Sequence, residues 1–150
     1  MQATVHFLVG AAIATIVRDP AGVVPMAFLS HYILDFLPHI DPETFVISNR
    51  PYTFRERVSL AADVIIVLAL TASFFFWHRQ GGILLLGGVA AQAPDWLVPL
   101  ERYRFFTPLR LLHERLHWPS RWANRWSWFV AGIAVPVVIS LGALAAVALA

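Results

Sequence analysis

Residues 30–43, SHYILDFLPHIDPE, place His31, Asp35, His39 and Asp41 within eleven positions at the end of an apolar run. His31 and Asp35 are four apart, so on a helix they share one face, a turn from each other. Pro38 disfavours helix at the residue before it. The chain is therefore expected to leave the helix near Leu37 and fold His39 and Asp41 back above the His31/Asp35 face. Three further ionisable residues stand in apolar surroundings: His6 in ATVHFLVG, Asp63 in LAADVIIV and Asp95 in AQAPDWLV. At the centre of a membrane helix an Asp costs about 2.5–3.5 kcal/mol on insertion scales, so such groups face one another inside a bundle and mark functional sites. A multivalent cation is the most economical common partner, because it removes both the mutual repulsion of carboxylates and their desolvation penalty.

The chemistry that suits this set is metal-assisted hydrolysis. Imidazole plus carboxylate, without thiolate, favours zinc first and then manganese or iron. His6, His31, Asp35, His39, Asp41, Asp63 and Asp95 exceed the four ligands that close a structural zinc site, and suffice for one or two divalent ions with open positions. Two such ions can activate a water and stabilise the leaving oxygen of a phosphoester. Which carboxylates ligate and which takes the proton from that water stays open; Asp41 and Asp63 are the candidates for the base. Each residue also has a plainer reading. His6 can begin a helix among headgroups, Asp63 can pair with Arg55 or Arg57, and Asp95 after Pro94 can be a helix N-cap. His39 and Asp41 can be turn residues in PHIDPE.

The elements that must position these groups are membrane helices. In 150 residues, 59% are hydrophobic and 13% charged, more apolar surface than a soluble domain of this size can hide. The length suits one domain over 1–150. Five apolar segments run over 2–17, 22–38, 58–77, 81–99 and 127–150, continuous rather than alternating, which disfavours a membrane barrel. The expected fold is all-α: a polytopic transmembrane bundle of four to five helices plus an amphipathic interfacial helix. The first two segments are short and joined by RDPAG, a tight hairpin that need not cross fully. Gly81-Gly82 and Gly87-Gly88 suggest close helix approach in lipid. All eleven basic residues are arginine. With five crossings, nine of them (Arg50, Arg55, Arg57, Arg102, Arg104, Arg110, Arg115, Arg121 and Arg125) share the side of the N-terminus, against Arg18 and Arg79 opposite. That bias puts the N-terminus and both large loops in the cytoplasm. His6, His31, Asp35, Asp63 and Asp95 then reach one leaflet from four helices, while His78 lies at the other end in an ordinary WHRQGG turn. The N-terminus lacks the basic region of a secretory signal and reads as retained. With no cysteine, neither disulfides nor thiolate metal sites arise.

Residues 101–128, ERYRFFTPLRLLHERLHWPSRWANRWSW, form a basic, aromatic loop. Leu109, Leu112 and Leu116 trace one face of an interfacial helix, with Arg110 and Arg115 elsewhere. Four tryptophans suit the headgroup belt and the arginines suit anionic lipid; beside a membrane span this is a lipid surface and not a nucleic-acid site. His113 and His117, four apart, can close over the metal site or hold a substrate phosphate together with Arg110 and Arg115, or simply lie among headgroups.

HFLVGAAIAT, SHYILDFLPHIDP, the Asp in LAADVIIVLAL, APDW and LHERLHW together resemble the bacterial inner-membrane metal-dependent hydrolases, a family distantly similar to zinc-dependent phospholipase C and P1 nuclease. The resemblance runs from His6 to about Trp118, and its sharpest piece is the His-x3-Asp-x3-His-x-Asp run at 31–41. It implies that His31, Asp35 and His39 are metal ligands, that His6 matches the family's early histidine and that Asp95 matches its Pro-Asp motif. The expectation is a membrane-embedded metal-dependent hydrolase of a phosphoester, on a phospholipid or lipid-linked substrate at the cytoplasmic leaflet of the inner membrane. The alternative is a non-catalytic metal-binding or metal-transport protein.

Overall fold

The computed structural model describes residues 2–39, 53–97 and 126–150, together with Tyr103, Thr107, Pro108, Leu111 and Arg115. Five long helices carry the described chain, with no strand among the described residues: α1 Ala3–Val17, α2 Pro20–Phe36, α3 Phe54–Trp77, α4 Gly81–Leu97 and α5 Trp126–Ala148. The ends of α1, α2 and α3 follow from local chemistry. Arg18 closes α1 in the left-handed conformation (φ 56°), and Asp19 then caps α2, accepting from the Gly22 N–H at 3.1 Å ahead of Pro20 in the first turn. This is the tight hairpin expected of RDPAG. α2 ends at Phe36, two residues before Pro38. α3 opens with a capping box: Thr53 Oγ1 accepts from Glu56 N at 3.3 Å, and Glu56 Oε2 accepts from Thr53 N at 2.7 Å.

The α1–α4 pair is the most extensive helix contact, and α2 packs on both. Small residues make it possible. A Cβ on Gly10 would run into the Gly87 carbonyl, and one on Gly87 into the Gly10 carbonyl, so the two backbones meet at this crossing. Gly10 also faces Ala91, and Gly87 faces Ala14, which makes the pair antiparallel. On α2, the buried stripe Val23, Ala27, His31 and Asp35 repeats every four residues, with Ala27 against Ala90 and Ala91. Phe7, Leu8, Val23, Phe74, Leu84, Ala143 and Val147 form the apolar core further along the bundle.

Only α3 and the 130–148 stretch of α5 are long and apolar enough to cross a membrane among the described residues. α3, with 24 residues, is about 36 Å long, beyond the ~30 Å hydrocarbon core; α1, with 15, is about 22 Å. Both long helices expose large apolar side chains, among them Ile65, Leu68, Phe75 and Trp77 on α3 and Val138 and Leu141 on α5. An apolar helix left exposed in this way needs a non-aqueous neighbour.

Candidate metal centre

His6 comes from the second turn of α1, His31 and Asp35 from the end of α2, and Asp95 from the last turn of α4. The antiparallel α1–α4 crossing at Gly10 and Gly87 brings His6 and Asp95 to one end, and the α1–α2 hairpin returns His31 and Asp35 to it. His6 and His31 are fully buried and stack face to face, ring centroids 4.1 Å apart and planes 22° apart. One Asp35 oxygen lies 3.3 Å from His6 Nε2 and the other 3.0 Å from His31 Nε2, while Asp95 Oδ1 lies 3.4 Å from the same His31 nitrogen. His6, His31 and Asp95 each offer one ligand atom within 4.8 Å of the others. Asp35 is buried and Asp95 is 40% exposed, so the group has a closed floor and one open edge.

Two features of the imidazoles bear on what this group can hold. His31 Nδ1 lies 2.9 Å from the Ala91 carbonyl oxygen and donates to it, and Nε2 is the nitrogen turned to the two carboxylates. A metal-ligating histidine is oriented in this way, its second nitrogen tied to a backbone carbonyl or carboxylate. Pro94, within α4, has no N–H for the Ala90 carbonyl and loosens this turn, where the neighbouring Ala91 carbonyl receives His31. His6 is more telling. Both of its ring nitrogens are buried and neither makes a hydrogen bond among the described residues. The 3.3 Å approach of Asp35 to Nε2 is too poorly aligned to count as one. Burying an unbonded polar group costs about 1–3 kcal/mol, so a fully buried imidazole with two unbonded nitrogens points to a ligand. The N···O separations of 3.0, 3.3 and 3.4 Å are ion-pair distances, with Asp35 meeting the two histidines on separate oxygens, so Asp35 bridges them while His6, His31 and Asp95 are the three that converge.

Asp63 is placed differently. Its two oxygens accept from the Ala3 N–H at 2.8 Å and the Thr4 N–H at 3.0 Å, and the Thr4 hydroxyl donates to it as well. It caps α1 from α3, one turn below His6, and does not join the group around His31. Neither does it pair with Arg55 or Arg57. His39 is buried near the end of α2, its Nδ1 2.7 Å from the Leu37 carbonyl oxygen. Asp95 is not an N-cap restarting a helix: α4 runs through Pro94 to Leu97. Arg115 is exposed. Asp41, Arg110, His113 and His117 lie outside the described residues, as does most of the expected interfacial helix. Sequence reasoning missed three participants: the Ala91 carbonyl, Thr4, and Gln92, whose Nε2 donates to the Ala3 carbonyl at 3.0 Å. A buried Gln three residues before Asp95 in an apolar helix was the available signal.

Compared with known proteins, the chain matches no family model, no curated protein and no solved structure.

Proposed function

We propose that this chain binds a divalent metal ion between His6, His31, Asp35 and Asp95 and uses it to hydrolyse a phosphoester at a membrane surface. The observation that carries the reading is His6, fully buried with neither ring nitrogen hydrogen-bonded among the described residues and set against His31 and Asp35. Zinc suits the donor set best, with manganese or iron next. When bound, the ion supplies an acidified water and stabilises charge on the leaving oxygen. His39 lies three residues beyond the end of α2 and is the further ligand that the resemblance to the inner-membrane hydrolases suggests. With both oxygens of Asp63 engaged on α1, Asp41 is the base that takes the water's proton. Arg110, Arg115, His113 and His117 hold the substrate phosphate.

The half-exposed Asp95 gives water and substrate their way in, and Trp96, exposed beside it, suits a headgroup layer. The exposed apolar surfaces of α3 and α5 support a bilayer as the surrounding medium. In this reading the chain is a polytopic bundle in the inner membrane, with α1, α2 and α4 packed beside the two full spans and the arginine-rich loops in the cytoplasm. The substrate is a phospholipid or a lipid-linked phosphoester, and anionic headgroups are the natural partner.

The test is to load the purified protein with zinc or manganese in vesicles of mixed phospholipids and measure release of phosphate or phosphorylated headgroup. Release that depends on the metal and disappears in Asp35→Ala supports hydrolysis. Stoichiometric metal without product would instead favour metal binding without catalysis.

A further inference from the structure

The group around His31 depends on a helix end that does not cap itself. Gln2 occupies the N-cap position of α1 and makes no capping hydrogen bond. The first N–H groups of a helix have no partner within it, and a local Ser, Thr, Asp or Asn ordinarily supplies one. Here the partner comes from sixty residues away. Asp63 on α3 takes the Ala3 and Thr4 N–H groups on separate oxygens, and the Thr4 hydroxyl closes on one of them. From α4, Gln92 holds the Ala3 carbonyl. The first turn of α1 is thus tied to two other helices, and His6 stands on the next turn. His6 has no hydrogen bond of its own among the described residues to fix its ring. Its place against His31 and Asp35 is set by its stacking on His31 and by where the first turn of α1 is held.

We infer that Asp63 is a positioning residue of the metal centre: by capping α1 from α3 it sets His6 at ligand distance from His31 and Asp35, without itself touching the ion. This rests on the metal reading above and adds a residue that the donor set does not include. Its carboxylate acts through hydrogen bonds to the first turn of α1, one oxygen taking the Ala3 N–H and the other the Thr4 N–H and hydroxyl. Asn keeps one accepting oxygen and so part of this cap, while Ala keeps none; as a ligand for a divalent ion Asn is hardly better than Ala.

That difference supplies the experiment. Cobalt(II) is titrated into the full-length protein in detergent, and binding is followed by the visible absorption of the bound ion, for wild type, Asp63→Asn and Asp63→Ala. Loss of a group that orients a metal ligand typically weakens binding by about 10–100-fold. Asp63→Ala is expected to lose affinity by about that factor and to change the absorption envelope, while Asp63→Asn, which keeps one of the two accepting oxygens, loses clearly less and keeps the wild-type spectrum. Equal losses in both variants would make Asp63 a ligand and overturn the inference. A lower melting temperature in Asp63→Ala with unchanged cobalt affinity and spectrum would make the cap merely structural, and would also overturn it. A wild-type protein that binds no cobalt overturns this inference and the metal reading together, whereas wild-type binding with failed variant predictions removes this inference alone. Should Asp63→Ala not fold, Thr4→Val removes only the hydroxyl donor; a loss of about threefold then supports the positioning role and no loss overturns it.

Discussion

The two ends of the bundle hold histidines in opposite states. At one end, half-buried His78 has both nitrogens engaged: Nδ1 accepts from the Gln80 N–H at 3.1 Å, which leaves Nε2 to donate to the Val147 carbonyl at 3.3 Å. It follows α3 at the turn into α4 and ties that turn to the end of α5. At the other end His6 is wholly buried with neither nitrogen hydrogen-bonded among the described residues and only the 3.3 Å approach of Asp35 to Nε2, and His31, stacked on it, spends one nitrogen on a backbone carbonyl and turns the other to Asp35 and Asp95. Both ends are helix termini rich in aromatic and apolar neighbours, so residue type and setting do not separate them. Hydrogen-bond bookkeeping does. A histidine whose donors and acceptors are matched by the protein is accounted for by the fold, whereas one left unmatched at full burial calls for a further partner, an ion or an ordered water.

The sharpest way to break this contrast is to delete a donor at each end. His31→Ala should weaken zinc or cobalt binding by more than the roughly 10–100-fold typical of losing an outer-shell partner, whereas His78→Ala should leave metal affinity unchanged. Equilibrium titration of both variants checks this, and equal effects would erase the distinction.

A second, smaller effect should come from the crossing that brings His6 to Asp95. In Gly10→Ala the new methyl meets the backbone carbonyl of Gly87, which cannot swing aside, so the helices must separate. Overpacking of this kind costs about 1–3 kcal/mol, and metal affinity should fall with it because α1 and α4 carry separate ligands. Gly142→Ala is the control: a Cβ there meets nothing within 4 Å, and exchanging Gly for Ala inside a helix should stabilise by up to about 1 kcal/mol without touching metal binding. Denaturant titration alongside metal titration separates the two. The smallest effect belongs to the matched end. His78→Phe removes the links to Gln80 and Val147 at a half-buried site and should cost about 1 kcal/mol of stability, again with metal affinity intact.

Much of this arrangement was legible in the sequence because two periodicities constrain it. Apolar runs separated by short turns force neighbouring helices to alternate direction, so His6 near one start, His31 and Asp35 near one end, and Asp95 near another end arrive together. The four-residue spacing of His31 and Asp35 fixes their common face. Helix bounds followed where local signals were strong, as at Pro38 and in the RDPAG turn. The start of α3 at Phe54 rather than near Val58 reflects the Thr53–Glu56 capping box, a signal present in the sequence but outweighed by the charged residues after it. Asp63 was harder to read. An isolated aspartate in an apolar helix looks the same whether it faces an ion, an arginine or a helix end, and the clue to its partner is a missing cap at Gln2, sixty-one residues away. Pro94 did not interrupt the reading: the apolar run over 81–99 carried the fourth helix through it, with Asp95 near its end, and α4 does run through Pro94 to Leu97.

The most direct measurement is the metal content of the purified protein by elemental analysis, wild type beside Asp35→Ala. The account predicts roughly stoichiometric zinc, manganese or iron in the wild type and near-background metal in the variant. Equal trace metal in both, with only the melting temperature changed, would mean that the stacked histidines and their carboxylates merely fasten helices together.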